Sequence, residues 1–237
     1  MNSLFSPINT DLTGLHVLLT AGPTHEAIDP VRYISNHSTG KMGYALADVL
    51  AERGATVTLV SGPTYLTIGH PAITVVKVRS AAQMYAACVD VFPTATLTVL
   101  AAAVADYTPK VVADRKIKKK ELDRHPAAEF RLELVKTVDI AASLGRQKRD
   151  DQFMVGFALE TDNELANAQA KLVSKNLDLI VLNSLKDEGA AFGHDTNQVT
   201  LIHRNGAIHR FGLKAKRAVA HDIADQVSAL LMAPTSN

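Results

Sequence analysis

The chain has 237 residues, 47% of them apolar and 21% charged, with a formal net charge of +1. That length supports one sizeable core and falls short of the size at which two become favoured. Near-neutral charge excludes a field broad enough to select nucleic acid or a membrane surface, and the lone Cys88 excludes a disulfide framework. No apolar run approaches the roughly 18 residues of a membrane span, and no basic region leads into an apolar core at the N-terminus. The expected compartment is the cytoplasm. Residues 1–13 and 233–237 lack periodicity and read as tails around a single domain at 14–232.

The first element is the apolar run from Leu15 to Thr20, a buried strand. After a loop, Tyr44, Leu46, Ala47, Leu50 and Ala51 recur at helical spacing until Gly54. Strands follow at Thr56–Val60 and Ile73–Val78, then a helix from Ser80 to Phe92 in which Cys88 reads as a small buried thiol. Residues 97–103 form another buried strand, followed by a helix at Asp139–Lys148, a strand at Phe153–Phe157, a helix at Asp162–Asn176 and a strand at Leu179–Leu182. Val199–His203 and Ala207–Phe211 flank Asn205-Gly206, a strong hairpin signal, and the last helix spans Lys214–Met232. Alternating strands and helices predict an α/β fold: a Rossmann-like, mostly parallel sheet with helices on both faces, ending in a β-hairpin and helix.

Two strand-to-helix loops stand out. Ile34 to Gly43, ISNHSTGKMG, places small hydroxyls, two glycines, an amide and a lysine where a helix N-terminus favours an anion. It matches neither common phosphate-loop spacing, so it also reads as an ordinary connection. The second loop, AAAVADYTP, leaves room at Ala101–Ala103 for something flat and puts Asp106 on the carboxyl rim of the sheet; alternatively the alanines pack under a helix and Asp106 caps a turn. Lys171 and Lys175 stack four apart on one helix, as like charges that a polyanion would relieve or as two solvated lysines. The tract Arg115–Lys120 reads as a nucleic-acid contact, a solvated run, or part of a flexible active-site cover over residues 107–129 that brings Lys116 to a ligand; net charge argues against the first. The nine histidines match no metal-ligand spacing.

The blocks TAGPTHEAIDPVRYISNHSTGKMGYALA, VTLVSGPTYL, AAAVADYTP, KIKK, GFALET, KNLDLIVLN and FGHDTNQVTLI, in this order, resemble the bacterial, CTP-dependent branch of the phosphopantothenoylcysteine synthetase family over residues 14 to 232. The resemblance implies a ligase of coenzyme A biosynthesis, joining 4′-phosphopantothenate to L-cysteine through an acyl-cytidylate with release of CMP and pyrophosphate. It also implies a homodimer, Mg²⁺ held mainly by the CTP phosphates, and a flavin-dependent decarboxylase as fused half or separate partner. By position, Lys116 and Asn36 are the implied catalytic residues, the first neutralising charge at the α-phosphate and the second holding the acyl group. Ser38, Thr39, Gly40 and Lys41 fall in the anion loop. Ala102, Asp106, Phe157, Lys171 and Lys175 fall on the nucleotide side, and Arg32 on the phosphopantothenate. Two departures from the commoner pattern occur: Thr39 where a second serine is frequent, and Thr137-Val138-Asp139-Ile140 where Asn-Pro-Asp-Ile is frequent, which leaves contacts by Val138 to Ala141 open.

Two other classes share parts of this pattern. A Rossmann-type reductase would want GxGxxG and an acidic residue ending the second strand, which here ends Leu59-Val60-Ser61-Gly62. A non-catalytic nucleotide-binding module shares the loops without the turnover.

Overall fold

The structure, a computed structural model, describes residues 10–118, 130–160, 162–184 and 194–232. Its first half contains β1 (His16–Ala21), β2 (His25–Ala27), β3 (Tyr33–Ser35), α1 (Lys41–Glu52), β4 (Thr56–Ser61), β5 (Ile73–Lys77), α2 (Ala81–Val91) and β6 (Leu97–Leu100). The second half contains β7 (Tyr107–Pro109), β8 (Leu134–Lys136), α3 (Ile140–Gly145), β9 (Phe153–Glu160), α4 (Glu164–Ser174) and β10 (Leu179–Ser184). Last come β11 (Thr196–Asn197), β12 (Val199–His203), β13 (Ile208–Arg210), β14 (Lys214–Ala215) and α5 (Lys216–Met232).

Eight strands form one sheet in the order β13-β12-β10-β9-β6-β1-β4-β5. Pairing is parallel from β10 to β5, and the β12–β13 hairpin joins antiparallel at the β10 edge. Side chains alternate across the strands, so the two faces build separate cores. Val17, Leu19, Leu59 and Val181 pack with α1 and α5, whereas Leu18, Val60, Ile180 and Leu182 pack with α2, α3 and α4. Strands β4 and β5 extend the sheet to one side of β1, and β6, β9 and β10 extend it to the other. The reversal lies between β1 and β6, and in an open sheet the crevice beyond the carboxyl ends at such a point is where ligands sit.

The expected α/β architecture, C-terminal hairpin and helix are all present. Differences fall where tertiary pairing overrides local pattern. The last helix begins at Lys216 because Lys214–Ala215 pairs with Thr196–Asn197. Tyr107–Pro109, inside the expected cover, pairs with Leu134–Lys136, and residues 119–129 of that cover lie outside the described residues. Cys88 is fully buried, and that burial pushes its thiol up to about 12. At the N-terminal side, Leu12 is buried in the core and Asp11 pairs with the Arg53 guanidinium, which also reaches Asp225 at 2.6 Å. Residues 10–13 are therefore fastened to the end of α1 and to α5.

The Arg53 guanidinium holds the Asp11 carboxyl at about 2, below its ordinary 3.8. A folded pKa below the unfolded one contributes stability above the unfolded value, and that contribution is lost as pH falls from about 4 towards 2. Asp11→Asn is expected to lower stability at pH 7 by about 1–2 kcal/mol and to flatten the pH dependence between 4 and 2, read by denaturant melts across that range.

Candidate active site

Two cavities open at the carboxyl ends of the central strands, of about 450 Å³ and about 350 Å³. Ala102, Val104 and Phe157 line both, so the cavities stand back to back across a shared wall. Volumes of this order suit small-molecule sites.

The wall is built by main-chain bonding that continues past the ends of β1 and β6. Ala103 N–H donates to the Gly22 carbonyl at 2.9 Å and Thr24 N–H to the Ala103 carbonyl at 3.3 Å. Ala102 N–H donates to Thr20 Oγ1 at 3.2 Å and Ala105 N–H to Thr24 Oγ1 at 3.0 Å. Small side chains at residues 101–103 follow from this closeness.

The smaller cavity is lined by Asn36, Ser38, Thr39, Gly40 and Lys41, the whole expected anion loop. Gly40 is the N-cap of α1 with φ 82°, a left-handed conformation that favours glycine, and no side chain caps the helix. A Cβ at Gly43 would stand 2.5 Å from Ala21 Cβ, so glycine there lets α1 press against the end of β1. Asn36 Nδ2 donates to the Ala103 carbonyl at 3.0 Å, tying the loop to the shared wall. Lys41 Nζ lies 2.6 Å from Asp195 Oδ1.

The larger cavity is lined by Asp106, Lys171 and Lys175 together with residues 136–141. The expected clash of like charges does not arise. Lys171 Nζ lies 2.6 Å from Glu160 Oε1, and Lys175, just beyond α4, lies 3.2 Å from Asp139 Oδ2. Asp139 also caps α3 by accepting from Ala142 N–H at 2.9 Å. Burial alone would raise its pKa, yet the Ala142 amide and the Lys175 ammonium hold it below the ordinary range. Ala101 and Ala102 pack against the cores on either face of the sheet, while Asp106 is exposed at the cavity rim and its carbonyl accepts from Thr137 N–H at 2.9 Å.

Arg32 and Lys116 line neither cavity. Arg32 Nη2 lies 2.5 Å from Asp29 Oδ2 and 3.1 Å from the Ile117 carbonyl, and Lys116 is exposed beside that contact.

Residues 12–231 match the family described as DNA/pantothenate metabolism flavoprotein C-terminal domain. The chain belongs to that family. A cysteine/cysteine sulfinic acid decarboxylase from an unknown prokaryotic organism is 51% identical over 220 residues, covering 93% of this chain and 60% of that protein. The coenzyme A biosynthesis bifunctional protein CoaBC of Bacillus subtilis (strain 168) is 45% identical over 219 residues, covering 92% of this chain and 52% of that protein. The crystal structure of the C-terminal domain of a coenzyme A biosynthesis bifunctional protein CoaBC superposes with a TM-score of 0.77 at 39% identity, covering 94% of this chain and 98% of that domain. The chain thus spans between about half and three fifths of these two full-length relatives.

The two cavities also draw on residues that sequence reasoning missed or left open. Thr137 to Ala141, including the Val138 departure, do line the larger cavity. Asn183, Asn197 and Lys216 complete the smaller one. Burial and the nearby Lys41 charge lower the Lys216 pKa, and its ammonium donates to the His194 and Thr196 carbonyls at 2.6 and 2.8 Å. Asn183 Oδ1 is buried without a hydrogen-bond partner among the described residues, the condition of an acceptor that a ligand would satisfy. A polar residue ending the apolar run Leu179–Leu182 was the available signal for Asn183; Lys216 carried none, because only the β11–β14 pairing brings it there.

Proposed function

We propose that this chain joins the carboxylate of 4′-phosphopantothenate to the amine of L-cysteine, consuming CTP. The observation that carries this reading is the pair of cavities sharing one wall: the expected nucleotide residues line one and the expected anion loop lines the other. Carboxylate activation needs that adjacency. The carboxylate oxygen attacks the α-phosphorus, the α–β phosphoanhydride bond breaks, and pyrophosphate leaves. Cysteine's amine then attacks the acyl carbon, the bond to CMP breaks, and the nitrogen loses a proton. No protein nucleophile takes part; alignment and charge neutralisation supply the rate.

In this mechanism the larger cavity takes the cytidine, with Asp106 at its rim and Phe157 in the shared wall. The uncapped amides of α1, with Lys41, suit phosphate oxygens. Asn36 has one Nδ2 hydrogen committed to Ala103, which leaves Oδ1 and the second hydrogen for the acyl group and the incoming amine. Lys116 brings its ammonium to the α-phosphate. Mg²⁺ would be held mainly by the nucleotide's phosphates and would offset their charge; among the described residues no group of three or more His, Cys, Asp and Glu offers a cage, and the loop amides suit anions. We place the reaction in the cytoplasm, with a decarboxylase as the next step; the CoaBC relative is named a bifunctional protein, and this chain matches 52% of its length.

The proposed homodimer is supported by an apolar surface on two packed ribbons. Tyr33, Tyr107, Leu134 and Val135 are exposed on β2–β3 and β7–β8, with Val111 exposed at 76% beside them. Light scattering is expected to give twice the 25.4 kDa protomer mass at micromolar concentration, and Leu134→Asp to shift it towards the monomer. A monomer at all concentrations would remove the dimer.

The deciding assay is pyrophosphate release with CTP, Mg²⁺ and phosphopantothenate, with and without cysteine. Release without CTP turnover to product would leave only a hydrolase, and carbon dioxide from cysteine without CTP would favour the activity named for the 51%-identical relative. Lys116→Gln is expected to cut release about 10²- to 10³-fold while CTP affinity changes little. Asn36→Asp is expected to form the acyl-cytidylate and hand it on slowly, so its mass accumulates in the quenched reaction; normal product formation without it would leave Asn36 a loop-shaping amide.

A further inference from the structure

The carboxylate of Asp29 divides its two oxygens between different tasks. It sits in the turn between β2 and β3 with its side chain fully buried. Oδ1 accepts from Val31 and Arg32 N–H, both at 2.8 Å, and so shapes its own turn. Oδ2 accepts from Arg32 Nε at 3.1 Å, from Arg32 Nη2 at 2.5 Å, and from the N–H of distant Ile117 at 3.2 Å. Arg32 Nη2 also donates to the Ile117 carbonyl at 3.1 Å, so the ion pair grips both polar groups of one residue. Arg32 holds the Asp29 carboxyl well below the ordinary carboxylate range, so the grip stays charged at working pH.

Ile117 directly follows Lys116. The segment leading to it is tied at two earlier points, Lys110 N–H to the Glu133 carbonyl and Ala113 N–H to the Ile28 carbonyl, and the Ile117 grip is the tie beside the lysine. A lysine stem has several free torsions, so its ammonium can be aimed only if its backbone is held. Charge-assisted bonds to a buried carboxylate are the stronger kind of tie.

We propose that Asp29, with Arg32, is a positioning residue that acts on phosphoanhydride cleavage through Lys116. This rests on the role given to Lys116 above. It also gives Arg32 a task at the site although its guanidinium points into neither cavity. Misplacement of a reacting group by about 1 Å costs on the order of 10²-fold in rate, which sets the expected effect.

Asp29→Asn separates the two tasks, because an amide can keep Oδ1 for the turn while its NH₂ cannot accept from Ile117 or Arg32. Single-turnover pyrophosphate release from CTP, Mg²⁺ and phosphopantothenate is measured in the wild type, Asp29→Asn, Lys116→Gln and the double variant. Asp29→Asn is expected to lose about 10- to 100-fold in rate with little change in KM for CTP, and to lose no further rate when Lys116 is already Gln. Trypsin is expected to cut within residues 115–118 faster in Asp29→Asn at an unchanged melting temperature. An equal loss in both backgrounds, or an unaltered cleavage rate, overturns the proposal. A Lys116→Gln variant as active as the wild type instead overturns the role of Lys116 itself. If Asp29→Asn melts early, Arg32→Lys takes its place: it keeps a cation for Asp29 but loses the planar fork that reaches Oδ2 and the Ile117 carbonyl together, and the same non-additivity is required of it.

Discussion

The strap between residues 20–24 and 101–105 is the constraint on which the site depends. Five hydrogen bonds carry the pairing of β1 and β6 beyond the end of β6, and Asn36 adds a sixth from the anion loop to Ala103. Buried main-chain groups must be paired, so once the strap forms, the two loops cannot drift apart. Alanine at residues 101–103 and glycine at Gly22, Gly40 and Gly43 are the side chains that such close approach permits. The shared wall between the cavities is this strap seen from either side.

Charge around the site is balanced before any ligand arrives. Lys41, Lys171 and Lys175 each face a carboxylate, and the Lys216 ammonium rests on backbone carbonyls. Partly exposed pairs of this kind are weakly held, so separating them costs little. Arg53 and Arg32 differ. Their carboxylate partners Asp11 and Asp29 are largely or wholly buried, and each pair ties down a separate segment, residues 10–13 to α1 and α5 in one case and 113–118 to the β2–β3 turn in the other. The cavity-lining lysines are thus loosely paired, whereas these two arginines are tightly paired to buried carboxylates of the same chain.

Most of the architecture was legible in one dimension. Period-2 and period-3.6 patterns placed the sheet strands and main helices, and Asn205-Gly206 marked the hairpin. The short ribbons β2–β3, β7–β8 and β11–β14 were not legible, because strands of two or three residues carry no period and exist only through their partners. The ion pairs of the stacked lysines were not legible for a similar reason: their partners Glu160 and Asp139 lie on other elements.

By itself the sequence determined the fold class and the residue types of both loops, because hydrophobic period and glycine placement act locally and survive without the rest of the chain, and its motif blocks carried the resemblance to the family. Only the tertiary structure decided that ten of the expected residues gather on two adjoining cavities while Arg32 and Lys116 stand apart from them. It alone added Asn183, Asn197 and Lys216, since proximity across the carboxyl edge of a sheet is set by strand order, and strand order leaves no trace in the spacing of residues along the chain.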